Sequence, residues 1–131
     1  MKKLVIISII LIVFIALGSI ETAVSYNNYK DISKDCGQLL TMLTTDTEDV
    51  FEDGNIEKTF EKMEKKWKKF MGFAMMFGNH TQLKDFTQKL NTLKGYIAEK
   101  DKKESLVALE VLSASATFLL RENLPLIENI L

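Results

Sequence analysis

An uncharged hydrophobic run near the N-terminus constrains this chain more than any other feature of its sequence. Residues 4–20 read LVIISIILIVFIALGSI and contain no Asp, Glu, Lys or Arg. A helix of this length measures about 25 Å at about 1.5 Å per residue, and the hydrocarbon core of a bilayer is roughly 30 Å thick. Residues 22–24 can extend the run. We therefore predict a membrane anchor over residues 1–24, in contact with the lipid bilayer through residues 4–20.

The charges that flank this run predict its orientation. Lys2 and Lys3 precede it, and Glu21 follows it. Because basic residues are retained on the cytoplasmic side of a span, we predict a single-pass protein of the cell membrane with its N-terminus in the cytoplasm. A cleaved signal peptide is the alternative interpretation, since Ala16 and Gly18 fit a loose small-x-small cleavage pattern. Both interpretations make the following domain extracytoplasmic.

The rest of the chain, residues 25–131, has the size and composition of one domain. The sequence is 47% hydrophobic and 27% charged, which is too hydrophobic for disorder, and the length suffices for one core. A formal net charge of −1 provides no electrostatic footprint for nucleic acid. The single cysteine, Cys36, cannot form an intramolecular disulfide. We interpret it as a small buried residue, with an intermolecular disulfide as the alternative.

Apolar residues beyond the anchor recur every three or four positions, which is the period of an α-helix. The predicted helices are helix one at about 28–53, helix two at about 56–78, helix three at about 80–99 and helix four at about 102–123. The apolar stripes predicted to face the core are Ile32, Cys36, Leu39, Leu40, Leu43, Val50 and Phe51 on helix one; Ile56, Phe60, Met63, Trp67, Phe70, Ala74 and Phe77 on helix two; Leu83, Phe86, Leu90, Leu93, Tyr96 and Ile97 on helix three; and Leu106, Leu109, Val111, Leu112, Ala116, Leu119 and Leu120 on helix four. The opposite side of helix two is a basic face rich in lysine, on which Glu64 and Lys68 stand four residues apart as a predicted ion pair. Pro125 should end helix four at Leu124, and the apolar tail 126–131 should pack back on the domain. Short connections predict that helices two, three and four are antiparallel neighbours. Helix one can pack as a fourth member, which its apolar stripe favours, or stand as a stalk that continues from the membrane. The fold class is therefore all-α: an N-terminal transmembrane helix followed by an antiparallel three- to four-helix bundle.

Local signals predict where three of these helices begin. Asn55, Asn79 and Asp101 each occupy a position suited to an N-cap, because their side chains can accept hydrogen bonds from the first backbone N–H groups. Gln82 and Glu104 follow the last two caps by three residues, as in a capping box.

Helix two carries the surface that we predict to bind a partner. Its apolar stripe is regular at first, but near its end apolar side chains spread all round the helix, and an exposed patch of this kind marks an interaction site. The candidate interaction residues are Trp67, Phe70, Met71, Phe73, Met75, Met76, Phe77 and His80. Trp67 can alternatively anchor the core, and His80 can be a structural residue that is hydrogen-bonded across a helix junction. The predicted partner is another protein, and we expect it to be a membrane neighbour.

No catalytic or metal-binding constellation is present in the sequence. His80 is the only histidine, and nothing in the spacing brings it to Cys36 as a catalytic dyad would require. The acidic pairs at 48–49 and 52–53 resemble a solvated helix end, and neither a phosphate-binding loop nor a GxSxG motif occurs. We therefore predict a non-enzymatic protein without cofactor or metal. The alternative function is an anchored or secreted bundle that binds a small apolar ligand or lipid.

A family resemblance rests on features distributed along the whole chain. Trp67 lies in an amphipathic helix, His80 begins the next helix, Leu90 and Leu93 follow, and residues 128–131 read ENIL. With the short lysine start and the single hydrophobic segment, the chain resembles small, uncharacterised, membrane-anchored proteins of spore-forming Gram-positive bacteria, which share a domain of unknown function. The resemblance implies a bacterial membrane protein and no activity.

Overall fold

The computed structural model describes residues 1–46 and 48–122, apart from the side chain of Phe77. Four helices and no strand occur in these residues: α1 (Lys2–Leu43), α2 (Asn55–Phe77), α3 (His80–Ala98) and α4 (Lys102–Glu122). The all-helical prediction is confirmed, and α2, α3 and α4 lie within about a residue of their predicted bounds. The predicted helix stop at Leu124 and the predicted packing of residues 126–131 lie outside the described residues.

The first helix differs from its prediction at both ends. The hydrophobic run and helix one were expected as separate elements, but α1 continues without a break from the run into the domain. No proline interrupts it there, and burial of Ser25 and Tyr29 against the domain stabilises the helix just past the run. Helix one was also predicted to reach residue 53, whereas α1 ends at Leu43.

Threonine side chains explain the early end of α1. Thr44 Oγ1 donates to the carbonyl oxygen of Leu40 at 2.8 Å, and Thr45 Oγ1 donates to that of Thr41 at 2.8 Å. Such side-chain bonds compete with the helical backbone ladder, and the polar residues that follow offer no apolar contact to extend it. Phe51 is nevertheless buried, and it reaches the core from a turn rather than from a helix.

The two halves of α1 have opposite environments. Residues 4–20 are exposed throughout, whereas the second half buries Tyr29, Ile32, Cys36 and Leu39 in the core. By length and composition, α1 is the helix among the described residues that is long and apolar enough to cross a membrane. The hydrophobic run and the first helix of the bundle are therefore two halves of one continuous helix.

The packing of the four helices is that of a bundle. The α1 helix lies beside α2 and α4, and α3 lies beside the same two helices. Tyr29 contacts Phe70 while Cys36 contacts Met63, so α1 and α2 run in opposite directions. Within the described ranges, no close backbone contact joins α1 to α3 or α2 to α4. The second half of α1 is therefore a full member of the bundle, as its apolar stripe predicts.

The core is formed by the apolar stripes that the sequence predicts for α2 and α3. On α2 the buried residues are Ile56, Phe60, Met63, Trp67, Phe70 and Ala74, and on α3 they are Leu83, Phe86, Leu90, Leu93 and Ile97. Two residues assigned to core stripes are in fact exposed, namely Leu40 on α1 and Val111 on α4. Each helix buries only the arc that faces its two neighbours, and these residues lie outside that arc.

The predicted caps are correct for α3 and α4. The Asn79 side chain accepts hydrogen bonds from the backbone N–H groups of Thr81 and Gln82, and Asp101 accepts from that of Glu104. For α2 the prediction was wrong by one residue, because the N-cap is Gly54 with φ of 71° and Asn55 is the first helical residue. A left-handed backbone conformation favours glycine there.

Candidate interaction surfaces

The predicted interaction residues divide between the core and the surface. Trp67 and Phe70 are only 1% and 3% exposed. The Trp67 ring lies 4.3 Å from the Phe86 ring between centroids, and its Nε1–H donates to Thr87 Oγ1 at 3.0 Å. The indole is therefore satisfied within the chain, and Trp67 and Phe70 stabilise the bundle instead of presenting a surface.

The remaining predicted residues lie at the end of α2 or just after it: Met71, Phe73, Met75, Met76, Phe77 and His80. Met71 and Phe73 are half-buried against the core, and the side chain of Phe77 is outside the described atoms. Met75 is 37% exposed and Met76 is 75% exposed. His80 is exposed, and its Nε2 lies 2.7 Å from the carbonyl oxygen of Met75, which links α3 to the end of α2.

A second apolar surface lies on α4, where the sequence prediction placed none. Val107, Val111 and Phe118 are 50%, 47% and 53% exposed, and the exposed Ala114 lies between them. These four positions are spaced by four, three and four residues, which aligns them along one side of a helix. The α4 helix therefore carries two apolar stripes, one buried in the bundle and one facing outward.

The outward stripe of α4 forms one wall of a groove, and α3 forms the other. The groove has two parts, of about 480 Å³ and about 300 Å³, which share Lys89 and Val111. Phe86 and Phe118 line the larger part, and Tyr96 lines the smaller part. The shared residues make the two parts continuous along the length of α4. We call this surface the α3–α4 groove.

Lys89 is a charged residue that lines both parts of the α3–α4 groove. Its Nζ lies 2.8 Å from Asp85 Oδ2 and donates to Ser115 Oγ at 2.7 Å. The second contact crosses from α3 to α4, so the ammonium group lies over the junction between the two parts. A ligand in the groove would meet mainly apolar side chains, together with the Lys89–Asp85 ion pair and the polar side chains of Gln82, Thr92 and Glu104.

The residues of this surface are apolar in the sequence, but helical periodicity alone does not distinguish them from the core stripe of α4. Val107 and Phe118 were assigned to no stripe, and Val111 was assigned to the core stripe. Two apolar stripes in different registers on one helix produce a nearly continuous apolar pattern. Exposure in the folded chain separates them, because Leu109 and Leu112 are buried while Val111 is not.

Ion pairs occupy part of the basic face of α2. Lys66 Nζ lies 3.0 Å from Asp35 Oδ2 of α1. Glu64 lies 3.6 Å from Lys68, as predicted for this pair, and 3.1 Å from Lys94 of α3. Three of the basic side chains near this face therefore pair with acidic groups of the bundle, so the face is less cationic than its sequence indicates.

The residues considered for chemistry lie apart in the fold. Cys36 is fully buried, with its Sγ 3.8 Å from Met63 Sδ, and burial followed by the charge of Asp35 raises its pKa to about 12. Met63 lies about 20 Å along α2 from the end at which His80 follows. A dyad of Cys36 and His80 is therefore not formed. Cys36 has the surroundings of a buried apolar residue, as its first interpretation predicts.

The acidic residues of the α1–α2 connection have local roles. Asp49 Oδ1 accepts a hydrogen bond from the N–H of Phe51 at 2.9 Å, and Asp53 Oδ1 accepts from that of Asn55 at 3.0 Å. Both are turns of the kind that aspartate forms with the backbone two residues ahead. In the part of the chain that the structure describes, no three His, Cys, Asp or Glu side chains form a group that could hold a metal ion.

Comparison with known proteins identifies a family without assigning an activity. A family model described as a domain of unknown function, DUF4363, matches residues 26–130. No curated protein and no solved structure matches the chain. The family match begins after the hydrophobic run and includes the bundle half of α1 together with α2, α3 and α4. The resemblance to an uncharacterised family is thus confirmed, and this chain belongs to the DUF4363 family.

Proposed function

We propose that this chain is a single-pass membrane protein without enzymatic activity, whose bundle lies outside the cytoplasm and binds another membrane protein. Residues 4–20 would be the span, with Lys2 and Lys3 on the cytoplasmic side. The full exposure of that run supports this assignment, because a helix that is apolar on every side is stable when lipid surrounds it. The resemblance to membrane-anchored proteins of spore-forming Gram-positive bacteria supports a bacterial cell membrane as its location.

The main support for the proposed binding function is the outward apolar stripe of α4. Val107, Val111 and Phe118 are each about half exposed, although the same helix already fills its place in the core with another set of residues. Among residues 1–46 and 48–122, no other helix covers this stripe. Exposed apolar patches on a folded domain mark sites of interaction, and this patch is joined to the α3–α4 groove.

The shape of the α3–α4 groove favours a helix as the bound element. A groove between two helices accepts a third helix that inserts side chains at intervals of three and four residues. Ala114 is small and exposed and would let the backbone of such a helix approach α4 closely. The groove runs along α4, and α4 packs against the half of α1 that lies in the bundle. A helix extending from the membrane segment of a neighbouring protein would therefore have a suitable direction.

Site-specific photocrosslinking in intact cells tests this proposal. A photoreactive residue in place of Val111 should give a discrete adduct with a membrane protein, whereas the same residue in place of Leu40 should give none. Leu40 is a matched control because it is also apolar and is 36% exposed, but it lies on α1 away from the groove. Adding Phe118→Lys to the Val111 probe should abolish the adduct, and circular dichroism would verify that the bundle remains folded.

Two outcomes would overturn the proposed partner. The first is the absence of an adduct at Val111. The second is an adduct at twice the 14.9 kDa mass of this chain, which would assign the groove to self-association instead.

A small apolar ligand in the same groove is the second candidate function. The larger part, at about 480 Å³, falls within the range of roughly 300–1,000 Å³ that is typical of ligand sites. Native mass spectrometry after gentle extraction should then show a discrete added mass that disappears with Val111→Lys. A protein adduct without such a mass would favour the protein partner.

A further inference from the structure

The connection between α2 and α3 lies at the end of the bundle from which α1 leaves toward the hydrophobic run. A cavity of about 190 Å³ at this end is lined by Glu21 and Ser25 of α1, by Gly78 and Asn79 of the connection, and by Glu122 of α4. Glu21 is the first residue after the hydrophobic run. The α2–α3 connection is therefore level with the point where that run ends.

The length of the hydrophobic run places this level inside the membrane interface. A run of about 25 Å is shorter than a hydrocarbon core of roughly 30 Å, so the apolar layer reaches past Ile20. The headgroup region adds about 5–8 Å on each side of that layer. Met76 precedes Gly78 by two residues, or about 3 Å along α2, and so lies within the depth of the headgroup region.

The chemistry of this end is suited to lipid. No Asp, Glu, Lys or Arg occurs between Lys69 and Lys84, and Met76 is 75% exposed there. The opposite end is highly charged, because residues 46–53 include five acidic side chains and residues 99–104 are all charged. The bundle is therefore densely charged at the end that faces away from the hydrophobic run, whereas the α2–α3 connection at the other end contains no Asp, Glu, Lys or Arg and exposes Met76.

We propose that the α2–α3 connection inserts Met75 and Met76 into the headgroup layer of the bilayer, as a second membrane contact beside the span. This inference rests on the membrane span of the proposed function and not on its protein partner. With two contacts, the bundle would be held at a defined rotation about α1. The α3–α4 groove would then face along the membrane plane, where neighbouring membrane proteins lie.

The proposed contact is apolar rather than electrostatic. Among the residues that the structure describes, the charges around this end are of both signs: Lys69, Lys84 and Arg121 are basic, and Glu21, Asp85 and Glu122 are acidic. A balanced set provides no net attraction to anionic lipid, whereas burial of methionine side chains depends on apolar area. The contact should therefore persist in zwitterionic lipid and at high salt.

Fluorescence quenching in reconstituted vesicles tests this proposal with the full chain. A polarity-sensitive fluorophore is attached to cysteine in the Met76→Cys variant, after Cys36→Ala removes the native thiol. The vesicles are phosphatidylcholine with a nitroxide quencher in the headgroup layer. We expect loss of fluorescence at position 76 and no loss in a matched Lys103→Cys variant, because Lys103 is exposed at the opposite end of the bundle. The quenching should not change with added phosphatidylglycerol or with salt.

A third labelled variant, Ile12→Cys, separates failure of this inference from failure of the span. Quenching at position 12 by a mid-chain nitroxide without quenching at position 76 would show a bundle that stands clear of the bilayer, which overturns the inference and leaves the span intact. No quenching at either position would overturn both. Quenching at position 76 only with anionic lipid would contradict the apolar contact. A photocrosslinker at Met76 that captures a protein in cells would assign the connection to a protein contact instead.

Discussion

Trp67 lies where three helices meet. Tyr29 of α1, Phe70 of α2 and Phe86 of α3 all have rings within 6.3 Å of its ring between centroids. Its indole N–H would be an unpaired buried donor without the hydroxyl of Thr87, which accepts from it at 3.0 Å. Packing of this residue therefore depends on one polar contact from the neighbouring helix.

Removing that hydroxyl should destabilise the bundle. Thr87→Val keeps the shape of the side chain but leaves the Trp67 N–H without its acceptor, at a cost of about 1–3 kcal/mol in the free energy of unfolding. Thr92→Val is the control, because the Thr92 hydroxyl is exposed and bonds only to the Gln88 carbonyl of its own helix. Urea denaturation followed by Trp67 fluorescence measures both. Equal stability of the two variants would contradict the assigned role of Thr87.

Because Cys36 and Tyr29 are buried, the free energy of unfolding should decrease as the pH rises in the alkaline range. Desolvation is the main cause that raises the pKa of each group to about 12, with a smaller contribution from the charge of Asp35 for Cys36 and of Glu21 for Tyr29. The folded chain holds protons that the unfolded chain releases. The stabilising contribution of Cys36 is therefore complete below its ordinary pKa of 9.0 and is lost as the pH rises toward about 12.

The corresponding prediction concerns Cys36→Ala. Its melting temperature should decline less steeply above pH 9.0 than that of the unchanged chain, because one of the two groups no longer titrates. Thermal denaturation followed by circular dichroism across this range measures the two slopes. Tyr29 remains in the variant, so some decline should persist. Parallel slopes would show that the thiol titrates alike in the folded and unfolded chain.

At the scale of single elements, the start of α3 depends on one side chain. Asn79 Oδ1 accepts from the N–H of Thr81 at 3.0 Å and from that of Gln82 at 3.3 Å. Asn79→Ala should lower the free energy of unfolding by about 1 kcal/mol, because both donors lose their partner. Asn91→Ala, at an exposed position inside the same helix, should change it by less than about 0.5 kcal/mol. Chemical denaturation of both variants tests the difference, and a cost at Asn91 as large as that at Asn79 would contradict the capping role.

The glycines at 54 and 95 should respond in opposite directions to alanine. Gly54 has a φ of 71° at the start of α2, a conformation that costs a residue with a Cβ about 1–2 kcal/mol. Gly95 lies inside α3 in open space, where an added Cβ meets nothing within 4 Å. We expect Gly54→Ala to lower the melting temperature and Gly95→Ala to raise it, with a gain of about 0.5–1 kcal/mol for the latter. Changes of the same sign would contradict this account of the α2 start.

At the scale of the whole molecule, α1 is one helix from Lys2 to Leu43, with no flexible linker between the hydrophobic run and the bundle. In the proposed topology this helix would transmit the orientation of the span to the domain. A reporter enzyme fused after Leu131 should therefore be active on the outer side of the membrane and inactive in the cytoplasm. Replacing Lys2 and Lys3 with Glu should reduce that activity, because the charge bias that orients the span is reversed. Reporter activity confined to the cytoplasm would contradict the proposed topology.

The sequence by itself determined the helical class, the limits of three helices and most of the core. Hydrophobic periodicity and capping side chains are local properties of the sequence. They were therefore sufficient to predict the stripe from Ile56 to Ala74 and the caps at Asn79 and Asp101. For the candidate interaction residues the sequence left two interpretations of Trp67 open, and its burial in the fold agrees with the core interpretation, whereas Met76 is exposed.

Only the tertiary structure decided which apolar side chains are excluded from the core and exposed at the surface of the bundle. Periodicity within one helix carries no information about the number and position of its neighbours, so it could not separate Val111 from Leu112 on α4. It also could not show that α1 continues through residues 21–28 or that the α2–α3 connection lies beside the end of the hydrophobic run. Those features arise from contacts between distant parts of the chain, which form only when the four helices pack together.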